Sequence, residues 1–125
     1  MNSMEKKGPI VIDLDMTLTK GGYSYADATP NEAVITKLRE YKEKGFDVII
    51  YTARNMRKYS GDISKINQNT VPEIIRWLER NNVDVDGVVV GKPWCGTNGF
   101  YVDDKAIRPD EFVDLTYEQV LELIN

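Results

Sequence analysis

The chain contains no histidine. That absence excludes Ser-His-Asp triads, histidine metal sites and histidine general bases, so any acid-base chemistry must come from carboxylates, lysine or tyrosine. The single cysteine, Cys95, excludes an intrachain disulfide framework; it fits a reducing compartment and reads as a structural residue. No apolar run approaches the ~18 residues of a membrane span. The first residues, MNSMEKKG, have neither the apolar centre nor the cleavage site of a secretory signal. A soluble, cytoplasmic protein is expected, with residues 1–8 as a disordered leader and residues 9–125 as one domain. A basic excess is missing too: the net charge of −4 argues against a dedicated nucleic-acid binder. There is no internal repeat, low-complexity tract or linker, and 125 residues suffice for one core.

What is present is a regular change of periodicity. Ile10 to Leu14 is an apolar run interrupted only by Asp13, the pattern of a strand covered on both faces. Thr17 to Ala28 is rich in glycine and tyrosine, and Gly21-Gly22 suits a tight hairpin-like turn. The next segment predicts a helix with Thr29 as N-cap, Pro30 at its first position and Glu32 completing a capping box. Its inward stripe is Val34, Leu38 and Tyr41, and Gly45 stops it. Phe46 to Tyr51 reads as a second strand, ending in Thr52-Ala53-Arg54. A polar segment, Asn55 to Asn69, leads to a helix opened by the capping box Thr70-Val-Pro-Glu73 and packed through Val71, Ile74, Ile75 and Leu78. Val88 to Val90 predicts a third strand running into Gly91-Lys92-Pro93, and Phe100 to Val102 a fourth ending at Asp103-Asp104. Thr116 caps a last helix carrying Tyr117, Val120, Leu121 and Ile124.

Strands alternating with helices imply right-handed crossovers and a mainly parallel central sheet with helices on both faces, a Rossmann-like α/β three-layer sandwich. Ligands in such sheets bind beyond the carboxyl ends of the strands. There stand Asp13 and Asp15, Thr52, Lys92, and Asp103 with Asp104. Residues two apart on a strand share a direction, so Asp13 and Asp15 address one point. Several carboxylates in one cleft need a cation, and oxygen ligands without His or Cys select a hard one, Mg²⁺, which shares its site with phosphate oxygens. A phosphorylated substrate is its natural partner. One carboxylate can attack phosphorus, a second can move the proton, a lysine can offset charge and a hydroxyl can hold a phosphoryl oxygen. Asp13, Asp15, Lys92 and Thr52 match these roles in type and place. Each alone is uninformative: a strand-end Asp is commonly a cap or turn residue, and Asp103-Asp104 reads equally as a solvated turn.

With those residues in hand, the chain resembles the haloacid dehalogenase superfamily of phosphohydrolases. The carriers are Asp13-Leu-Asp15-Met-Thr17 after an apolar strand, Val48-Ile-Ile-Tyr-Thr52, Lys92, and Tyr101-Val-Asp103-Asp104. The order matches over Ile10 to about Phe112. The resemblance implies Asp13 as nucleophile and Asp15 as general acid/base. It also implies Mg²⁺ held by Asp13, the main-chain carbonyl of Asp15 and Asp103, with Asp104 in support. Tyr51-Thr-Ala-Arg-Asn-Met-Arg57, Lys65-Ile-Asn67, Gly91-Lys-Pro-Trp-Cys-Gly96 and Gly99 to Asp110 are similar to the small capsule- or polysaccharide-biosynthesis phosphatases of that superfamily. A sugar phosphate or small polyol phosphate is the substrate so implied.

Members usually carry a cap domain after the first motif or between the second and third. Here Thr17 to Thr29 holds a short flap, and Thr52 to Lys92 a loop plus one helix, so no cap fits. The flap, the loop Asn55 to Asn69 or a neighbouring subunit of a homo-oligomer must then exclude water. Arg54, Asn55, Arg57 and Lys58, with Trp94, Lys105 and Arg108, are candidates for leaving-group recognition: arginine forks suit anionic or sugar substituents and Trp94 a sugar face. Tyr23 and Tyr25 on the flap are weaker candidates.

Two other enzyme readings fail. Gly87-Val-Val-Val-Gly-Lys-Pro93 has three residues between its glycines where a P-loop needs four, and a proline where it needs Ser or Thr. A Cys-x5-Arg phosphatase would need arginine where Tyr101 stands. A receiver-like phospho-acceptor, a non-catalytic scaffold and a polynucleotide end-phosphatase stay as alternatives.

Overall fold

The computed structural model describes residues 7–22 and 24–125. Most of the expected leader lies outside the described residues. Lys7 and Gly8, assigned to that leader from sequence, instead open the first strand. The chain divides into two compact units, Met1–Trp94 and Cys95–Asn125.

The first unit is built on a parallel sheet of three strands, β1 (Lys7–Ile12), β2 (Phe46–Thr52) and β3 (Gly87–Val90), in the order β1-β2-β3. The connections carry α1 (Glu32–Glu43), α2 (Ile63–Asn69) and α3 (Val71–Arg80). Cross-strand partners Ile12, Ile50 and Val88 align the strands, so Thr52 comes to lie beside Val90 at the carboxyl end. This is a small α/β fold with a parallel sheet, as the alternation of periodicities implies.

One sheet face is sealed: Val48, Ile50 and Thr52 are buried, with Ile12 and Val90 on the same face. The opposite face does not meet the expectation of cover on both sides. Val11 is 59% and Val89 48% exposed. Among the described residues no helix is long and apolar enough to cross a membrane.

The helix boundaries correct the capping scheme. α1 starts at Glu32 with Asn31 as N-cap, whose side chain accepts from the Val34 amide at 3.4 Å. Thr29 and Pro30 are used elsewhere: Pro30 bridges antiparallel to Thr19, and the Lys20 amide donates to the Thr29 carbonyl at 2.7 Å. These bonds close the base of the flap. Gly21 sits there at φ +104°, where a side chain would be strained.

Within the expected polar segment lies α2, capped by Asp62, which accepts from the Lys65 amide at 3.2 Å. Its apolar face amounts to Ile66, the one buried residue, and so short a stripe leaves little periodic trace. Because α2 leads directly into α3, Thr70 is helical in backbone and makes no side-chain cap bond. Two helices, not one, therefore separate Thr52 from Lys92. α3 buries Ile74, Trp77 and Leu78, whereas Ile75 is 42% exposed. Trp77 also donates through Nε1 to the Ala28 carbonyl at 2.8 Å, fastening the flap to the core.

The second unit contains α4 (Pro109–Asp114) and α5 (Tyr117–Ile124). Thr116 caps α5 as expected, accepting from the Gln119 amide at 3.2 Å, and Tyr117, Val120, Leu121 and Ile124 form its half-buried stripe. The expected fourth strand does not form: residues 99–103 have no regular structure, and Phe100 is 78% exposed. Strand propensity in a three-residue run is realised only where a neighbour completes its ladder.

Candidate functional site

The carboxyl ends of β1, β2 and β3 line up, and each hands a polar residue to one rim of the first unit. β1 stops at Ile12, so Asp13 and Asp15 lie beyond the strand and its alternation does not govern them. Instead the chain winds tightly around Leu14. The Leu14 carbonyl accepts from the amides of Thr17, Leu18 and Thr19 at 3.3, 2.9 and 3.1 Å, and Met16 adopts φ 64°. This winding brings the Thr17 hydroxyl back over Asp13, where it donates to Oδ2 at 3.1 Å. The spacing of aspartate and threonine thus follows from one turn.

Lys92 follows β3, with its amide donating to the Thr52 carbonyl at 3.2 Å. Its Nζ lies 3.7 Å from Asp13 Oδ1. At that separation the pair is an electrostatic contact rather than a hydrogen bond. The Thr52 hydroxyl is buried and accepts from the Arg54 amide at 3.1 Å, and it still carries its own proton to donate.

Asp15 turns to a different partner from Asp13, contrary to the shared direction expected for them. Arg54 grips both its oxygens, Nη2 to Oδ1 at 2.6 Å and Nε to Oδ2 at 3.1 Å. The guanidinium is almost wholly buried, and the Tyr25 ring of the flap lies 4.0 Å from its Cζ. Its third nitrogen, Nη1, is buried with no hydrogen-bond partner. Arg80 Nη2 donates to the Ala26 carbonyl at 2.5 Å and holds the neighbouring part of the flap. A shallow pocket lined by Ile35, Leu38, Lys42 and Val83 lies elsewhere on the unit and includes none of these residues.

The structure divides the remaining candidates. Arg54 belongs at the rim, bound to Asp15 rather than standing free. Asn55 is spent on structure: at φ 64° it donates through Nδ2 to the Thr70 hydroxyl at 2.7 Å. Arg57 and Lys58 are exposed, the latter 5.3 Å over the Tyr59 ring. Trp94 is about half exposed at the end of the first unit. Asp103, Asp104, Lys105 and Arg108 belong to the second unit and are exposed. There Asp103 accepts from the Lys105 amide at 2.8 Å, Lys105 Nζ donates to Asn125 at 2.9 Å, and the Arg108 amide donates to Glu111 at 2.8 Å. Tyr23 lies outside the described residues.

Residues that the sequence reading left without a role are Trp77 and Arg80, which fasten the flap. Trp77 stands three residues after Ile74 and so continues its stripe; Arg80 carries no such signal. As to a metal, no group of three His, Cys, Asp or Glu side chains suited to an ion occurs among the described residues. The donor chemistry at the rim suits a hard cation in part. Asp13 offers oxygen, whereas the Asp15 carboxylate is committed to Arg54, leaving its main-chain carbonyl.

No family model and no curated protein matches the chain. Among solved structures, the crystal structure of a target protein from Vibrio cholerae is similar, with 45% identity and a TM-score of 0.91 over 94% of this chain and 97% of that one. The chain belongs to one family with that Vibrio cholerae protein.

Proposed function

We propose that the protein is a Mg²⁺-dependent phosphomonoesterase of the haloacid dehalogenase type. It works through an aspartyl-phosphate on Asp13 and acts on a sugar phosphate or small polyol phosphate. The observation that carries the reading is the pairing at the rim: Asp13 within 3.7 Å of Lys92 Nζ and bonded by Thr17, with Asp15 held apart by Arg54 two residues later.

In this reading an oxygen of Asp13 attacks phosphorus in line, and the bond from phosphorus to the leaving oxygen breaks. Asp15, protonated and released from Arg54, gives its proton to that oxygen. Water then attacks the phosphorus, the acyl-phosphate P–O bond breaks, and Asp15 takes the proton from water. Lys92 offsets charge on the phosphoryl oxygens and the Thr52 hydroxyl donates to one of them. Asp13 and the main-chain carbonyl of Asp15 would hold Mg²⁺, which when bound neutralises phosphoryl charge. Asp103 and Asp104 keep the ligand role implied by the resemblance as a proposal. Asp103→Asn should then raise the Mg²⁺ concentration needed for half-maximal turnover. A role in surface-polysaccharide assembly and a cytoplasmic location are parts of the same proposal.

A screen of phosphorylated sugars and polyols with p-nitrophenyl phosphate, with and without Mg²⁺, tests the reading by released phosphate. Metal-dependent release that disappears in Asp13→Asn is expected. Release from none of them, or undiminished turnover in Asp13→Asn, overturns it.

A further inference from the structure

Arg54 presents a problem of accounting. A guanidinium has five N–H donors, and burying one without an acceptor is costly. Nε and Nη2 are satisfied by Asp15, but Nη1 is buried without a partner beneath the flap, with Tyr25 stacked 4.0 Å from Cζ. Two further contacts hold the flap down from the core side, the Trp77 and Arg80 bonds to the Ala28 and Ala26 carbonyls, while the main-chain bond from Lys20 to Thr29 closes its base. An unsatisfied donor kept in a fastened, closed position, next to the general acid of the proposed reaction, has the character of a vacant recognition point.

Resting on the phosphatase reading above, we infer that Arg54 Nη1 donates to a neutral oxygen, a hydroxyl or carbonyl, on the leaving group of the substrate. Tyr25 is the cover that lifts to admit it. The charge balance selects a neutral acceptor: the Arg54 charge is already matched by Asp15 at 2.6 Å, so a second carboxylate would be an extra anion in a buried place. The substrate class is then a phosphomonoester whose leaving group carries hydroxyl or carbonyl oxygens near the ester, as in a sugar or polyol phosphate. Simple alkyl phosphates fall outside it. Arg54 is thus a reader of the leaving group and a positioning residue for Asp15.

The test compares glycerol phosphate with propyl phosphate, which differ only by hydroxyls, in the presence of Mg²⁺. The wild-type protein should favour glycerol phosphate in kcat/KM by about 10- to 100-fold, the worth of one hydrogen bond to a charged donor. Arg54→Gln should collapse that ratio toward one, whereas a purely structural defect would lower both substrates alike and leave the ratio unchanged. Equal wild-type rates on the two esters, or a ratio preserved in Arg54→Gln, overturn the inference. If Arg54→Gln does not fold, Tyr25→Leu decides. With the cover over Nη1 altered, the ratio should shift at least several-fold, and an unchanged ratio overturns the inference. Release of phosphate from p-nitrophenyl phosphate, whose leaving group needs neither Nη1 nor a strong acid, reports separately on the phosphatase reading. If that ester is hydrolysed while the ratio is flat, the inference alone falls.

Discussion

Asp13 and Asp15 leave the same strand two residues apart, and the fold gives them different company. Asp13 keeps a loose contact to Lys92 at 3.7 Å and one hydroxyl bond; exposure does not separate the two acids, whose side chains are 36% and 31% exposed. Asp15 is clamped through both oxygens by a guanidinium that is itself buried and stacked under Tyr25. A carboxylate with both oxygens bonded to a guanidinium is a weaker nucleophile, while one whose oxygen faces only a loosely paired lysine can meet an incoming electrophile. Within the proposed phosphatase reading, the difference fits attack by Asp13 and proton handling by Asp15 once its clamp opens.

The largest effect should come from Asp13→Asn, which removes the attacking oxygen anion and brings turnover to background. Because Asp13 is partly open and loosely paired, thermal unfolding should show near-wild-type stability. A large loss of stability in this variant would break the contrast. Asp15→Asn should slow turnover by roughly 10²- to 10⁴-fold on poor leaving groups and less on p-nitrophenyl phosphate. It should also cost about 1–3 kcal/mol of stability, read from denaturant unfolding, because the buried Arg54 loses its charge partner. Equal stability in the two variants would erase the distinction.

Lys92→Met should lower kcat by on the order of 10²-fold through lost charge compensation. The smallest change is expected for Thr17→Val, which deletes a single bond to Asp13 worth about 1 kcal/mol, or roughly fivefold in kcat/KM. Steady-state kinetics on one substrate series ranks all four.

Much of this was legible along the chain, and the reasons are local. The apolar run Phe46 to Tyr51 declares a strand, and the polar residues that follow the apolar runs declare the rim. Thr116 announces α5 because an N-cap acts on an amide within its own turn, here that of Gln119. Less legible was whatever depends on a distant partner. Thr29 looked like a cap, yet the flap claims its carbonyl; Thr70 looked like a cap, yet Asn55 claims its hydroxyl. Phe100 to Val102 reads as a strand, but strand pairing is decided between segments and not within one.

By itself, the order of residues determined which side chains could serve: no histidine, acids and a lysine after apolar runs, and strands alternating with helices in the order that calls for a parallel sheet. Only the tertiary structure decided which acid would be held and which left open. Arg54 lies 39 positions from Asp15 and Lys92 lies 79 from Asp13 along the sequence, so their pairing exists only once the three strand ends are aligned. Hydrogen bonds and ion pairs act over a few ångströms, and sequence distance has no bearing on that reach.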